Sequence, residues 1–195
     1  MAEHNLTLPI TNEDVEKLKT GDSVYLNGIV YTARDMAHIK IKKLLEQGAD
    51  LPEKFAGSAI FHAGPVALKD GDGWKLNVIG PTTSMRMEPY AEMVGQIGVK
   101  LIIGKGGMFA DSLKAYQKYK QAYLQAAPGC AVKTAAGVKA IKKVHWLENG
   151  MPEAMWVLEV EKFGPFIVTM DTHGNSVYEQ VKHAAFEHIE KLFAS

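Results

Sequence analysis

Four short stretches bring cationic, imidazole and hydroxyl side chains next to glycine or proline: "YTARD" (Tyr31–Asp35), "FHAGP" (Phe61–Pro65), "GPTTSMRM" (Gly80–Met87) and "IIGKGG" (Ile102–Gly107). In the third, Thr82, Thr83 and Ser84 stand ahead of a predicted helix, where free backbone N–H groups and the positive end of the dipole favour an anion. Arg86 can add a two-point clamp on a carboxylate or phosphate. The competing reading is a Thr/Ser helix cap with Arg86 in solvent. In the fourth, the glycines let backbone approach a ligand while the Lys105 ammonium meets its charge, or they form a tight turn with a solvated lysine. A nucleotide P-loop is excluded, because five residues separate Gly98 from Gly104 where the motif needs four, and Gly106 occupies the position of its magnesium-binding hydroxyl. "YTARDMAH" offers Arg34, Asp35 and His38 at a strand–helix junction. Alternatively, Asp35 caps the helix and pairs with Arg34, and His38 is a core neighbour of Ile41 and Leu45. His62 in "FHAGP" carries the same two readings.

Other chemistries are thinly supplied. The single cysteine, Cys130, cannot form an intramolecular disulfide, hold a structural zinc or hold an iron–sulfur cluster by itself. "DTHGN" (Asp171–Asn175) sets Asp171 two residues before His173, but no third ligand has metal-site spacing, and a turn is expected. His183 and His188, five apart on a helix, do not share a face. There is no GxSxG elbow, HExxH or GxGxxG. What remains suits a small polyanion and lacks an electrophile.

Composition narrows the class. Of 195 residues 47% are hydrophobic, enough for one substantial core. The 22 basic and 22 acidic side chains cancel, so no global field draws in nucleic acid or an acidic membrane. The opening "MAEHNLTLPI" lacks the pattern of a secretory leader, and no apolar run is long enough to span a bilayer. A cytoplasmic location is expected.

These groups need elements to hold them. A capping box of Thr11 and Asp14 starts a short helix carrying Val15 and Leu18, which Gly21 stops. "SVYLNGIVYT" (23–32) reads as a β-run interrupted at Gly28, and 35–48 as a helix with Ala37, Ile41, Leu44 and Leu45 inward. "SAIFHAG" (58–64) is a predicted buried strand. Residues 66–80 form a predicted hairpin turning at Asp70–Gly73. Helix (88–97), strand (100–104) and helix (108–121) follow, then β-run (122–127), a small-residue helix over 131–141 and a strand over 142–147. Two more β-runs, 154–163 and 165–171, precede an amphipathic helix through Val177, Val181, Ala185, Ile189 and Leu192. Hairpins in one part and βα units in another predict a layered α/β domain rather than a uniform doubly wound sheet. The four polar stretches fall in loops that follow strands, where α/β proteins carry their ligands.

Taken in order, "GDSVYLNGIVYTARDMAH", "AIFHAGP", "GPTTSMRME", "GVKLIIGKGGM", "PGCAV", "VHW", "GMPEAMWVLEVEKFGP" and "DTHGN" resemble the β subunit, or C-terminal domain, of the iron–sulfur hydro-lyases that include class I fumarases and L(+)-tartrate dehydratase. The resemblance spans nearly the whole chain. It implies an α/β fold of the swivelling β/β/α three-layer kind with a mixed sheet, as one domain over 1–195 with residues 1–22 an N-terminal arm packed on it. It also implies an α subunit whose three cysteines bind a [4Fe-4S] cluster, in an α2β2 assembly with a shared active site. The implied reaction is reversible hydration of a four-carbon dicarboxylate, with an open iron as Lewis acid and positive charge stabilising a carbanion beside a held carboxylate. By motif position Arg34, Arg86 and Lys105 correspond to carboxylate clamps, with Thr82 and Thr83 against the substrate. Thr82 is the candidate proton carrier, and His38, oriented by Asp35, the second catalytic candidate. A threonine hydroxyl is a poor base and needs nearby cations to act. The loops "FHAGP", "GKGGM", "PGCAV" and "DTHGN" look more like the tartrate dehydratase branch, whereas fumarate/(S)-malate is the commoner reaction and ranks first. A different class, a non-catalytic anion- or nucleotide-binding module, would use the same loops.

Overall fold

The computed structural model describes residues 1–193, and for 190–192 the backbone alone. Strand β1 (Glu3–Thr7) leads through the short helix α1 (Asn12–Glu16), whose Thr11–Asp14 capping box forms as expected, to β2 (Ser23–Thr32). Helix α2 (Asp35–Glu46) follows, then β3 (Ala59–Phe61) and the hairpin β4 (Ala63–Asp70) and β5 (Gly73–Pro81). A 3-10 helix over Ser84–Tyr90 runs into α3 (Ala91–Gln96), ahead of β6 (Leu101–Gly104), α4 (Ala110–Tyr119) and β7 (Ala122–Gln125). The remainder is α5 (Ala131–Ala135), β8 (Val138–His145), the long β9 (Met155–Met170) and α6 (Val177–Phe193).

The sheet is mixed. Strands β1–β2, β2–β3, β3–β6 and β6–β7 pair in parallel, and β9 pairs antiparallel with β2, β7 and β8. Because β9 is hydrogen-bonded to β2 along one edge and to β7 near its end, strands β2, β3, β6, β7 and β9 close on themselves. The short central strands are buried on both faces, which is why their sequences are continuously apolar. Alternation then divides them between two cores. Ala59, Phe61, Leu101, Ile103, Ala122 and Leu124 join Trp156 and Phe163 in one, while Ile60, Ile102 and Tyr123 join Ile41, Val94 and Tyr116 from α2, α3 and α4 in the other.

Several expectations change. The helix predicted over 131–141 stops at Ala135, and Val138 already begins β8. At Gly137 a Cβ would stand 2.8 Å from the Phe163 ring, and the Gly137 carbonyl accepts the Glu161 N–H, so pairing with β9 overrides local helix propensity. The two β-runs of the tail are one continuous strand. On α2 the buried positions are Ala37, His38 and Ile41, and Leu45 is exposed. Helix α6 forms as expected, with Val181, Ala185 and Ile189 exposed on it, and the Leu192 side chain falls outside the described residues. Among the described residues no helix is long and apolar enough to cross a membrane.

Candidate active site

The three adjacent parallel strands β2, β3 and β6 end side by side, and at their carboxyl ends stand Arg34, His62 and Lys105. The loop after β5 is stitched across them. Thr82 N–H donates to the His62 carbonyl at 2.7 Å, Ser84 N–H donates to the Lys105 carbonyl at 3.0 Å, and Thr83 forms a parallel bridge with Lys105. Neither Thr83 nor a neighbour caps the following 3-10 helix. The loop's geometry therefore comes from tertiary pairing, and the N–H groups of Thr82 and Ser84 are already engaged.

Thr82, Arg86, Asp35 and the start of α2 meet on one surface. Arg86 donates through Nε (3.2 Å) and Nη2 (2.9 Å) to the two oxygens of Asp35, and Nη2 also donates to Thr82 Oγ1 at 3.1 Å. This fork holds the guanidinium plane beside the threonine hydroxyl. Burial pushes the Asp35 carboxyl up, but the Arg86 hydrogen bonds and the charges of Arg86 and Arg34 outweigh it and hold the group below its ordinary value. The same contacts raise Arg86 further. Asp35 thus pairs with Arg86, neither capping α2, whose N-cap is Arg34, nor bonding to His38.

Arg34 is placed by a residue the motifs did not flag. Its Nε lies 2.9 Å from Glu153 Oε1, and the other Glu153 oxygen accepts the Met36 N–H at 3.1 Å, tying the start of α2 to the turn before β9. Nη1 reaches over Gly64, where a Cβ would come within 2.8 Å of it, so "HAGP" needs its glycine. The chain's two arginines both lie here, although lysine is its common cation. That choice fits planar recognition of carboxylates.

Beneath the loop is a buried polar set. His62 Nδ1 is 2.9 Å from Ser84 Oγ, and the Tyr123 hydroxyl donates to the same Oγ at 2.9 Å. Gly104 makes room for it, since a Cβ there would stand 1.8 Å from Ser84 Oγ. His38 packs edge-on to His62 and stacked on Tyr90, with ring centroids 5.4 and 5.2 Å away. Its Nδ1 is 2.8 Å from the Arg34 carbonyl. Burial pushes its pKa down to about 4, against smaller opposing effects of that bond and of Asp35. His62 is lowered well below its ordinary value, by burial first and then by His38 and Arg86. His38 is therefore neutral at pH 7, and burial disfavours the charged form of His62 in the same direction.

No sequence signal points to Ser84 and Tyr123 as partners of His62, since the three lie in separate stretches of the chain. "DTHGN" is a turn, with the buried Asp171 carboxylate accepting from the N–H groups of Thr20, His173 and Asn175. Cys130 is exposed. Among the described residues no group of three or more His, Cys, Asp or Glu side chains is arranged to hold a metal ion. The donor set of this chain does not fit an iron–sulfur cluster.

Strand-end cations and a hydroxyl loop stand over a closed mixed sheet in an α/β domain, and the comparisons give its family. The family described as Fumarase C-terminus matches residues 1–181, and the chain belongs to that family. It is 46% identical over 190 residues to the L(+)-tartrate dehydratase subunit beta of Escherichia coli, covering 97% of this chain and 89% of that one. It is 48% identical over 185 residues to a Methanocaldococcus jannaschii protein named "Putative L(+)-tartrate dehydratase subunit beta" (94% and 95% covered). A Geobacillus stearothermophilus protein named "Putative fumarate hydratase class I" is 42% identical over 189 residues, which is 96% of this chain and 36% of that longer one.

Proposed function

We propose that this chain is the β subunit of an iron–sulfur-dependent hydro-lyase that reversibly hydrates a four-carbon dicarboxylate, and that it supplies the groups that grip the substrate. The observation that carries the reading is the gathering of Arg34, the Thr82–Arg86 pair and, through its backbone bridge to Thr83, Lys105 at the ends of β2, β3 and β6 in a chain of the fumarase C-terminal family. The [4Fe-4S] cluster is assigned to a cysteine-bearing α subunit in an α2β2 assembly, consistent with relatives named as beta subunits and with the donor set here. When bound there it supplies Lewis acidity toward a hydroxyl and a carboxylate. The swivelling β/β/α three-layer description belongs to the same proposal, with 1–195 as one domain. It is supported by the two cores on opposite faces of the central strands. Residues 1–22 supply the arm, through β1 on the edge of β2.

Within this chain, Arg34, Arg86 and Lys105 bind carboxylates, and Thr83 lies against the substrate. Thr82 Oγ1 holds or moves the proton at the carbon beside the held carboxylate. The Arg86 N–H directed at that oxygen favours its deprotonated form, which an isolated threonine lacks. Asp35 orients Arg86. His38 is buried and neutral, and serves the site through the Arg34 carbonyl.

Fumarate/(S)-malate is the first substrate pair. L(+)-tartrate is the second reading, favoured by the names of the 46–48% identical relatives. A single buried hydrogen bond to the extra hydroxyl is enough to separate the two. The test is anaerobic co-expression with a cognate cysteine-bearing α chain, followed by a panel of fumarate, (S)-malate, mesaconate and tartrate. Cluster binding with turnover of one of these is the expected result. A reconstituted pair that loads a cluster and turns over none of them would refute the reading. Tight ATP or phosphate binding by the isolated chain would favour a non-catalytic module instead.

A further inference from the structure

Among the described residues His38 Nε2 and the Tyr116 hydroxyl are buried without a hydrogen-bond partner of good geometry; the Ser112 hydroxyl also acts on the phenol, but gives its own proton to Glu88. His38 and Tyr116 line the same pocket, together with His62 and the apolar Met87, Val94 and Met108. Every lining residue is buried. The space open to the centre of a water molecule is about 10 Å³, which is the size of one water.

Hydrogen-bond chemistry fixes what such a molecule would meet. The Arg34 carbonyl can only accept, so His38 Nδ1, 2.8 Å away, carries the proton. In the neutral ring Nε2 is then a lone-pair acceptor that needs a donor. The other lining side chains are apolar apart from His62, whose Nδ1 is committed to Ser84, and native interiors rarely leave such atoms unpaired. We propose that one ordered water occupies this pocket, donating to His38 Nε2 and accepting from the Tyr116 hydroxyl.

The bridge has a consequence for the site. It holds the His38 ring in the Nδ1–H form, and that N–H adds a second hydrogen bond to the Arg34 carbonyl, which already accepts the His38 backbone N–H at the start of α2. Tyr116 is thereby a positioning residue for the Arg34 clamp, reaching it from α4. The kinetic part of this inference rests on the dicarboxylate reading. The water and the tautomer can be observed on the full chain without substrate, so they fail separately from it.

A crystal structure of the full chain, at a resolution that resolves ordered solvent, should show a water within hydrogen-bond distance of both atoms. Nitrogen-15 NMR of labelled histidine should show His38 protonated at Nδ1 alone at pH 7. A dry pocket, a direct Tyr116–His38 bond or the opposite tautomer would overturn the proposal. In the reconstituted enzyme, Tyr116→Phe should raise KM about fivefold, the size of one ordinary hydrogen bond, with kcat nearly unchanged and the His38 Nε2 signal displaced. A variant with wild-type KM and an unmoved His38 signal would also overturn it.

Discussion

Arg86 illustrates how one side chain is made to serve two purposes. Its fork to Asp35 is more than a third exposed on each side (43% and 37%), and so contributes little to stability. What it provides is direction, since the same Nη2 that meets Asp35 meets Thr82. Asp35→Asn should therefore change unfolding free energy by less than about 1 kcal/mol while lowering kcat/KM in the reconstituted enzyme, measured by denaturant unfolding and steady-state kinetics side by side. Replacing Arg34, Arg86 or Lys105 with alanine removes a charged partner of the substrate and should cost roughly 2–5 kcal/mol of transition-state binding. Unchanged kcat/KM in all three would remove their assigned role. Thr82→Val keeps the shape and loses the oxygen, so kcat should collapse while KM stays within a few-fold. A variant that loses only affinity would make Thr82 a holder of substrate and not a proton carrier.

The loop carrying Thr82 is an element without regular structure of its own, and its place is set by neighbours on both sides. Backbone bonds to the ends of β3 and β6 fix its path, and the Ser84–His62–Tyr123 set locks it from below. Gly104 is the small residue on which this depends. Gly104→Ala forces Ser84 or Tyr123 to move, and should destabilise the fold by about 1–3 kcal/mol and lower activity as Thr82 and Lys105 shift. Glu88 anchors the next segment, accepting from the N–H groups of Phe109 and Ser112 and from the Ser112 hydroxyl, so that the loop after β6 and the start of α4 are held to the 3-10 helix. Ser84→Ala leaves Tyr123 and His62 short of a buried partner, at about 1–3 kcal/mol. A Tm unchanged in both variants would show that the loop is held by backbone pairing alone.

Across the whole molecule the two buried histidines make stability depend on pH. The unfolded chain takes up protons near pH 6.5, whereas folded His38 does so only near pH 4, and His62 is displaced in the same direction. Where the unfolded state binds more protons, stability rises with pH. The contribution is fully present above about pH 6.5 and is lost as pH falls toward 4. For His38 alone it is on the order of 3 kcal/mol. Denaturant unfolding from pH 7.5 down to pH 4.5 should show this loss, and His38→Gln should flatten part of the slope if it folds. An equal slope in wild type and variant would mean that His38 is not the group responsible.

Local chemistry was legible in the sequence wherever a pattern of near neighbours decides the outcome. The Thr11–Asp14 capping box, the hairpin turning at Asp70–Gly73, the central apolar strands and the "DTHGN" turn all depend on residues a few positions apart. The spaced motifs likewise marked Arg34, Thr82, Arg86 and Lys105 as one candidate set, because their order along the chain matches a family. Tertiary structure decided what those groups face. Asp35 meets Arg86 across 51 residues, Arg34 meets Glu153 from the far end of the chain, and His62, Ser84 and Tyr123 converge from three separate elements. It also turned 138–145 into a strand, because pairing with β9 outweighs a small-residue helix propensity. It buried His38 rather than Leu45, since the close packing of α2 against β3 and the 3-10 helix is invisible to periodicity. Short-range preferences are carried by the residues themselves, whereas the partner of a buried or charged group is chosen only when strands distant in sequence are brought side by side.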